Sequence, residues 1–501
     1  MAAPLLLASN RGPLSFALNA EGNPAPRRGG GGLVSALMSA GHGERVRPLW
    51  ICTAMSDADR EAARRSPGGR LDLAEEIRED GDRVPAYDTG GIPVRMLTAV
   101  DGIDARTFDL AYNGIANSIL WFLHHLLFAA PTAPVFDSTF AREWGAYRVY
   151  NQAFAEALSQ DAEPGAKVLV QDYHLTLAPN LLRQRRPDLR IGHFSHTPWA
   201  PADYFSLLPA GVAREVLLGV LGADRAGFLA PRWASAFLDC CEEILGAEVQ
   251  RTGEGRGSVT WAGRRTQVVV HALGIDGPEL RERASRPDVA RHEEALLARV
   301  GGCLVVARVD RTELSKNILR GLLAYRELLR RYPEWIGRVV HVAGAYPSRH
   351  ALPEYREYTA KVQRLAAEID EEFGQPGWSP ILLTVDDDFP RSLATYRIAD
   401  VLLTNPTRDG MNLVAKEGPV LSQHGLALVL STEAGAAHEM GEHALLVNPF
   451  DVSGTAAALN AALLMSPEER RQRTAALVRA ATALPPAQWL EDQVSSLDGD
   501  A

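Results

Sequence analysis

Two doubly wound α/β domains are the fold class that this 501-residue chain predicts. Three observations predict it. Short apolar, β-branched or Leu-rich runs recur with helix-length spacers between them. Polar and Gly-rich turns follow those runs, and a charged stretch poor in apolar residues, near 275–295, divides them into two series. In open parallel sheets ligands sit at the carboxyl ends of the strands, so the cleft between two such domains is the place to look for chemistry.

The elements follow in order. Residues 5–9, Leu-Leu-Leu-Ala-Ser, read as a first strand, with a loop rich in Gly, Pro and Asn up to Gly32 and a helical start at residues 33–40. Strands are expected at 168–171 and 191–194 around a helix near Leu181 and Leu182, and again at 268–271. Residues 274–291 look like a charged connection. The second series opens at 304–307 and continues through a Leu-rich helix from Ile318 to Leu329. Strands then follow at 339–342, 381–385 and 401–404. A last helical segment, 467–483, precedes Pro485-Pro486 and is expected to cross back onto the first domain. The domains expected are 1–280 and 281–475, with 476–501 as the returning helix and tail. Beyond Gly29 to Gly32 there is no low-complexity tract, and no internal repeat.

Composition narrows the function. The chain is 46% hydrophobic and 23% charged with a net charge of -10. That balance opposes nucleic acid or an anionic membrane as the main partner, while leaving room for a phosphorylated small molecule held by a local basic cluster. Cys52, Cys240, Cys241 and Cys303 include no Cys-x-x-Cys pair, so neither a disulfide framework nor a zinc site is expected. The N-terminus lacks a basic n-region, and no run is long and apolar enough to span a bilayer. The default compartment is reduced and cytoplasmic.

The strand ends carry the candidate chemistry. Residues 404–417, Thr-Asn-Pro-Thr-Arg-Asp-Gly-Met-Asn-Leu-Val-Ala-Lys-Glu, follow a buried-strand run with an Asp409-Gly410 turn and helix-forming residues from Met411 to Glu417. An exposed helix N-terminus there would hold an anion, with Glu417 two turns on and placed to accept from ribose hydroxyls. The plain alternative is a helix capped by Asp409. Arg311 and Lys316 follow the first strand of the second series. As two cations at a helix N-terminus they oppose the dipole, which favours an anionic ligand. Asn10-Arg11-Gly12, Asp172-Tyr173-His174, His196-Thr197-Pro198 and Ser348-Arg349 close other strands. The glycines at 29–32 would let backbone N–H groups approach a diphosphate, although a flexible loop is the plainer reading.

In this order these motifs resemble the trehalose-6-phosphate synthase family, retaining glycosyltransferases of GT-B architecture with two Rossmann-like domains, and members of actinobacterial type in particular. The resemblance runs from Ser9-Asn10-Arg11 to Val447-Asn448-Pro449-Phe450-Asp451. It rests on Gly31-Gly32-Leu33, Asp172-Tyr173-His174-Leu175, His196-x-Pro198, Arg311-x-Glu313-x-Ser315-Lys316, Ser348-Arg349 and the run from Arg408 to Glu417. It implies an N-terminal acceptor domain and a C-terminal nucleotide-sugar domain. Gly31 and Gly32 would sit by the donor diphosphate, which Arg311 and Lys316 neutralise as it leaves. Asp409, Gly410, Met411, Asn412 and Leu413 would hold the donor glucose and phosphates, and Glu417 the ribose. Arg11, Arg349, Tyr112 and Trp121 would bind the acceptor's 6-phosphate, Asp172 its hydroxyls, and His196 would lie at the reacting centre.

The implied reaction joins a nucleoside-diphosphate glucose to glucose 6-phosphate, making α,α-trehalose 6-phosphate. Neither a cofactor nor a metal is expected, the partners are small molecules, and a homo-oligomer is left open. Departures matter. The family's Trp-x-Gly-Trp is here Trp50-Ile51-Cys52-Thr53, as in pseudo-glycosyltransferases that join carbasugars and resemble validoxylamine phosphate synthase. Residues 385–389, Val-Asp-Asp-Asp-Phe, lie near the expected base pocket, and carboxylates there pair with the donors of guanine, so the expected donor leans to GDP-glucose over UDP-glucose. A glucosylglycerol-phosphate synthase and a non-catalytic sugar-phosphate binder are the other readings.

Overall fold

The computed structural model describes residues 2–19, 22–28, 47–77, 83–349 and 352–499. Gly31, Gly32 and the helical start expected at 33–40 lie outside the described residues. The chain divides into two compact units, Met1–Ala272 with Pro486–Ala501, and Leu273–Pro485.

Among the described residues the main sheet of the first unit has nine strands: β1 (Ala3–Ala8), β2 (Leu49–Thr53), β3 (Val94–Leu97), β4 (Ala162–Gln171), β5 (Arg190–Ser195), β6 (Arg225–Phe228), β7 (Glu248–Gly253), β8 (Arg256–Trp261) and β9 (Arg264–Val270). Their order across the sheet is 7-8-9-6-5-4-1-2-3. From β9 to β3 every pairing is parallel, and only the β7–β8–β9 meander is antiparallel. The inner strands are buried on both faces, so Leu6, Ile51, Val168, Ile191 and Ala226 are all at 0% exposure. Burial on both faces explains why such strands read as continuous apolar runs.

The second unit has six parallel strands: β10 (Leu304–Arg311), β11 (Val339–Tyr346), β12 (Ile381–Thr384), β13 (Val401–Thr404), β14 (Ala427–Ser431) and β15 (Leu445–Val447). Their order is 12-11-10-13-14-15, the 3-2-1-4-5-6 pattern of a Rossmann sheet. The first six strands of the first unit repeat that pattern. Each sheet therefore has one point where the winding reverses, between β1 and β4 and between β10 and β13. There the helices leave to opposite faces and open a crevice at the strand ends.

Two expectations need correction. The unit boundaries fall at 272/273 and 485/486, where the sequence suggests 280/281 and 475/476. Hydrogen bonds explain the shift. Gly274 N–H donates to the Leu484 carbonyl at 2.8 Å and Ile275 N–H to that of Ala481 at 3.0 Å, tying both linkers into the second unit. Lys416 Nζ, fully buried, donates to the Leu273 carbonyl (2.8 Å) and to Glu439 Oε2 (2.6 Å). The helix Pro467–Ala481 thus stays with the second unit, and the element that returns to the first is Pro486–Ser496, restarted by Pro486 at its first position. Residues 274–291 are no loose connection either. They form Gly277–Ala284, capped by Asp276 Oδ1 on Glu279 N–H (2.9 Å), and the start of Pro287–Val300. Each helix buries only a few residues, which is why the sequence reads as merely charged.

Candidate functional site

In the first unit the sequence-singled residues gather where β1 and β4 end. Arg11 follows β1, and its Nη2 donates to the Tyr112 hydroxyl at 3.4 Å. Tyr112 projects from a wide helical segment, Leu110–Leu120, whose π-type turns often accompany functional positions. Its ring stacks between Phe108 (centroids 5.0 Å apart) and His174 (5.6 Å). Trp121 begins the next turn, stacked on His125 at 3.8 Å and tilted against Tyr173 at 5.7 Å. Asp172 follows β4 at φ 72°, ψ 172°, a backbone region that non-glycine residues avoid. The strain is held by two bonds: Asp172 N–H donates to the Phe194 carbonyl (2.7 Å), and Asp172 Oδ1 accepts from the His196 N–H (3.1 Å).

His196 lies 2.8 Å from Gln171 Oε1 through Nε2, which makes Nε2–H the donor and leaves Nδ1 as an acceptor. Its ring packs between Phe194 (5.0 Å) and Trp489 (5.5 Å), the latter from the returning helix Pro486–Ser496. Trp489 is anchored by its indole N–H on the His271 carbonyl at 3.1 Å. Burial, helped by neighbouring His193, pushes the His196 pKa down to about 3. The ring is neutral at working pH and serves as a hydrogen-bonding group, with no proton to give as an acid.

The second unit carries a charged cluster where β10 and β13 end. Lys316 Nζ donates to Asp409 Oδ2 at 2.7 Å and stands 4.0 Å from buried Asp310. Asn412 Nδ2 donates to the same Asp409 oxygen (3.2 Å), while Asn412 Oδ1 caps the Ala415 N–H (3.0 Å). The helix therefore spans Leu413–Leu421 with Asn412 at φ 78° as its cap, not Asp409, and Met411 lies before it. Asp409 is held instead by its backbone, donating to the Glu433 carbonyl (3.1 Å) and accepting from Gly435 N–H (3.1 Å). A Cβ on Gly435 would run into the Gly410 carbonyl, so this close approach requires glycine.

Arg311, at the end of β10, is 43% exposed and pairs on one side with Glu313, whose side chain is at 0% exposure, at 3.1 Å. Glu313 Oε1 also accepts from Ser348 Oγ at 2.9 Å, tying in the turn that carries Arg349. Arg349 sits at φ 47° and donates to the Tyr355 hydroxyl at 2.8 Å. Behind the cluster Arg308 is fully buried, donating to Asn405 Oδ1 (2.6 Å) and to the Lys316 carbonyl (2.5 Å). Glu417 accepts from the Tyr396 hydroxyl at 3.0 Å, and burial raises its pKa. Burial and Asp409 oppose each other at Lys316; the carboxylates prevail and raise its pKa, so it stays a cation.

The residues 385–389 behave differently from expectation. Asp388 caps the helix Phe389–Ile398, and Arg391 takes both Asp386 (2.5 Å) and Asp388 (2.7 Å). Among the described residues only Asp387 of the three is without an ion pair. The supporting roles of Glu313, Arg308, Asn412 and Trp489 were not assigned from sequence. A buried-carboxylate signal was available only for Glu313, lying two residues from Arg311. No group of three or more His, Cys, Asp or Glu in a metal-holding arrangement occurs among the described residues, and no described helix is long and apolar enough to cross a membrane.

Known proteins resemble this chain over most of its length. The chain is 35% identical over 99% of its length to a trehalose-6-phosphate synthase of Mycolicibacterium gilvum, covering 93% of that protein. It is 34% identical over 98% of its length to the bifunctional trehalose-6-phosphate synthase/phosphatase of Thermoproteus tenax, but spans only 63% of it. A Dictyostelium discoideum relative, α,α-trehalose-phosphate synthase [UDP-forming] A, is 31% identical over 97% of the chain, which spans 61% of it. Among solved structures, an α,α-trehalose-phosphate synthase (UDP-forming) of Burkholderia vietnamiensis superposes with a TM-score of 0.77 at 28% identity, covering 93% of this chain and 97% of that one. The model of glycosyltransferase family 20 matches residues 27–499, and the chain belongs to that family.

Proposed function

We propose that this chain is a retaining α-glucosyltransferase that makes α,α-trehalose 6-phosphate from a nucleoside-diphosphate glucose and glucose 6-phosphate, with no metal required. The observation that carries the reading is the Arg311, Lys316 and Asp409 cluster at the winding reversal of the second sheet. Displacing a nucleoside diphosphate from an anomeric carbon puts negative charge on the leaving phosphate and oxocarbenium character on the sugar. Arg311 and Lys316 would stabilise the first, and both are held by carboxylates, Glu313 and Asp409. Asp409 and the turn to Leu413 would hold the glucose, and Glu417 the ribose hydroxyls. Arg11 and Tyr112 would bind the acceptor's 6-phosphate with Trp121, Asp172 its hydroxyls, and Arg349 is a further candidate for the phosphate. Gly31 and Gly32 would approach the diphosphate. The neutral His196 would hydrogen-bond at the reacting centre. No carboxylate is assigned as nucleophile: the acceptor hydroxyl attacks the face that the leaving group departs from and passes its proton to the departing phosphate oxygen.

The donor base has two readings, each with its own support. Asp387, which has no ion pair among the described residues, favours the paired donors of guanine and hence GDP-glucose. The UDP-forming names of relatives and the loss of Asp386 and Asp388 to Arg391 favour UDP-glucose. Nucleotide release from GDP-, UDP- and ADP-glucose with glucose 6-phosphate, with the product identified by mass and NMR, decides between them. Trehalose 6-phosphate from either donor supports the reaction. Transfer only to glycerol 3-phosphate or a phosphorylated carbasugar overturns the acceptor, and no transfer at all overturns catalysis.

A further inference from the structure

Strand β2 ends in Trp50-Ile51-Cys52-Thr53, the stretch where the aromatic pattern departs from its relatives, and all four residues are buried. Their groups are spent on the residues that follow β1. Trp50 Nε1 donates to Ser9 Oγ at 2.8 Å, and Ser9 Oγ donates onward to the Arg11 carbonyl at 2.6 Å. Thr53 Oγ1 lies 2.8 Å from the Tyr150 hydroxyl, which donates to Asn10 Oδ1 at 2.6 Å. A phenol has one proton and Asn10 has taken it, so Thr53 must donate to Tyr150. Backbone bonds run in parallel, Ser9 N–H to the Ile51 carbonyl (3.1 Å) and Thr53 N–H to that of Asn10 (3.2 Å). Gly12 completes the contact, because a Cβ there would overlap Cys52 Sγ.

Two side-chain wires thus converge on Ser9-Asn10-Arg11. Trp50, at 1% exposure with its N–H on Ser9, offers no face for a sugar to stack on. Asn10 is left with its carboxamide oriented: the oxygen is taken by Tyr150, and one amide hydrogen makes only a long contact with Met55 Sδ at 3.9 Å. Its second N–H has no partner among the described residues. The chemistry suited to that donor is a sugar hydroxyl.

We infer that Tyr150 and Thr53 are positioning residues for acceptor recognition, orienting Asn10 to hydrogen-bond an acceptor hydroxyl and setting the turn that presents Arg11 to the acceptor phosphate. The inference rests on the acceptor reading above and adds a specificity device to it, hydrogen bonding in place of indole stacking. A site built to bond a hydroxyl rejects the analogue that lacks it far more strongly than an apolar face does.

The test uses the full chain and the variants Tyr150→Phe, Thr53→Val and the double variant, each checked for folding by circular dichroism. Each single variant is expected to raise the KM for glucose 6-phosphate about tenfold while kcat and the donor KM stay within about twofold. The double variant is expected to be no worse than Tyr150→Phe, because both cut one chain. Among monodeoxy glucose 6-phosphates, the one that wild type discriminates against most should lose that penalty in Tyr150→Phe. Equal acceptor affinity in folded Tyr150→Phe, additive losses in the double variant, or a parallel loss of donor affinity would each overturn the inference; should Tyr150→Phe fail to fold, Thr53→Val alone decides. Calorimetry of wild type with glucose 6-phosphate separates the two levels. No binding by wild type sinks the acceptor reading and this inference with it, whereas equal binding by wild type and Tyr150→Phe sinks this inference alone.

Discussion

Glu313 and Arg311 form a one-sided ion pair: the carboxylate is fully buried, while the guanidinium 3.1 Å away is half open to solvent. A surface pair of this length is worth little, but a pair with one buried partner fixes where the exposed cation points. The open part of the Arg311 side chain leaves it able to meet an anion. Burial pushes the Glu313 carboxyl up, yet Arg311, Arg349 and Lys316 outweigh it and bring its pKa to about 2.

That shift has a pH signature. A carboxylate whose folded pKa lies below the unfolded 4.5 contributes stability that is fully present above 4.5 and is lost as pH falls towards about 2. Thermal unfolding between pH 6 and 2.5 should therefore show wild type losing stability faster than Glu313→Gln. At pH 7 the same variant should be less stable than wild type by on the order of 2 kcal/mol, discounted from a fully buried pair because Arg311 is half exposed. A variant with the wild-type pH slope would contradict the assignment.

Arg311→Ala should lower kcat by roughly 10²–10³-fold, the scale of losing one group that stabilises transition-state charge. Its fold should be intact, since the side chain is about half exposed. Steady-state kinetics with circular dichroism read both, and near-normal turnover would remove Arg311 from the diphosphate role.

Arg349→Ala should act on the other substrate. Its guanidinium is braced by the Tyr355 hydroxyl, so it is presented as a fixed charge. The expected outcome is an acceptor KM raised about tenfold or more, with the donor KM unchanged. An unchanged acceptor KM would count against it.

His196 should show no titration between pH 5 and 8. Burial holds its folded pKa near 3, so the folded state excludes the proton that the unfolded chain binds below 6.5. Its contribution to stability is present above 6.5 and falls away as pH drops below it. Nitrogen-15 shifts of the imidazole report this directly. An imidazolium signal at pH 6 would refute the neutral ring.

The donor base can be read from Asp387→Asn. On the guanine reading this change should cut kcat/KM for GDP-glucose about tenfold and leave UDP-glucose unaffected. No change with either donor would end the carboxylate argument.

Much of the fold was legible because the inner strands are buried on both faces and therefore carry unbroken apolar runs, as in Val401–Thr404 and Val339–Tyr346. Strands β2, β3, β6, β7, β8, β14 and β15 went unassigned: β2, β3, β6, β14 and β15 are three to five residues long, too short for a run to stand out from a helix segment, and the β7–β8 hairpin is polar and largely exposed along β7, with no apolar run. Residues 274–291 misled because two helices that bury few side chains look like a charged loop. The candidate site was legible where chemistry sits beside a strand end, at Arg11, Asp172, Arg311 and Asp409. It was not legible at Tyr150 or Trp489, whose aromatic rings look like ordinary core in mid-helix.

By itself the sequence determined that there would be two parallel sheets, that Arg311, Lys316 and Asp409 would follow the strand ends of one of them, and that Glu417 would stand further along the helix after Asp409. Those properties are local: apolar runs make strands, and turn residues follow them. Only the tertiary structure decided which distant groups meet. Lys316 reaches Asp409 because β10 and β13 are neighbours across the winding reversal, 93 residues apart in the chain. Tyr150 meets Asn10 across 140 residues, and Trp489 reaches His196 because the chain crosses back after Pro485. Strand order and the returning helix are products of how the whole chain packs, and no local run of residues encodes them.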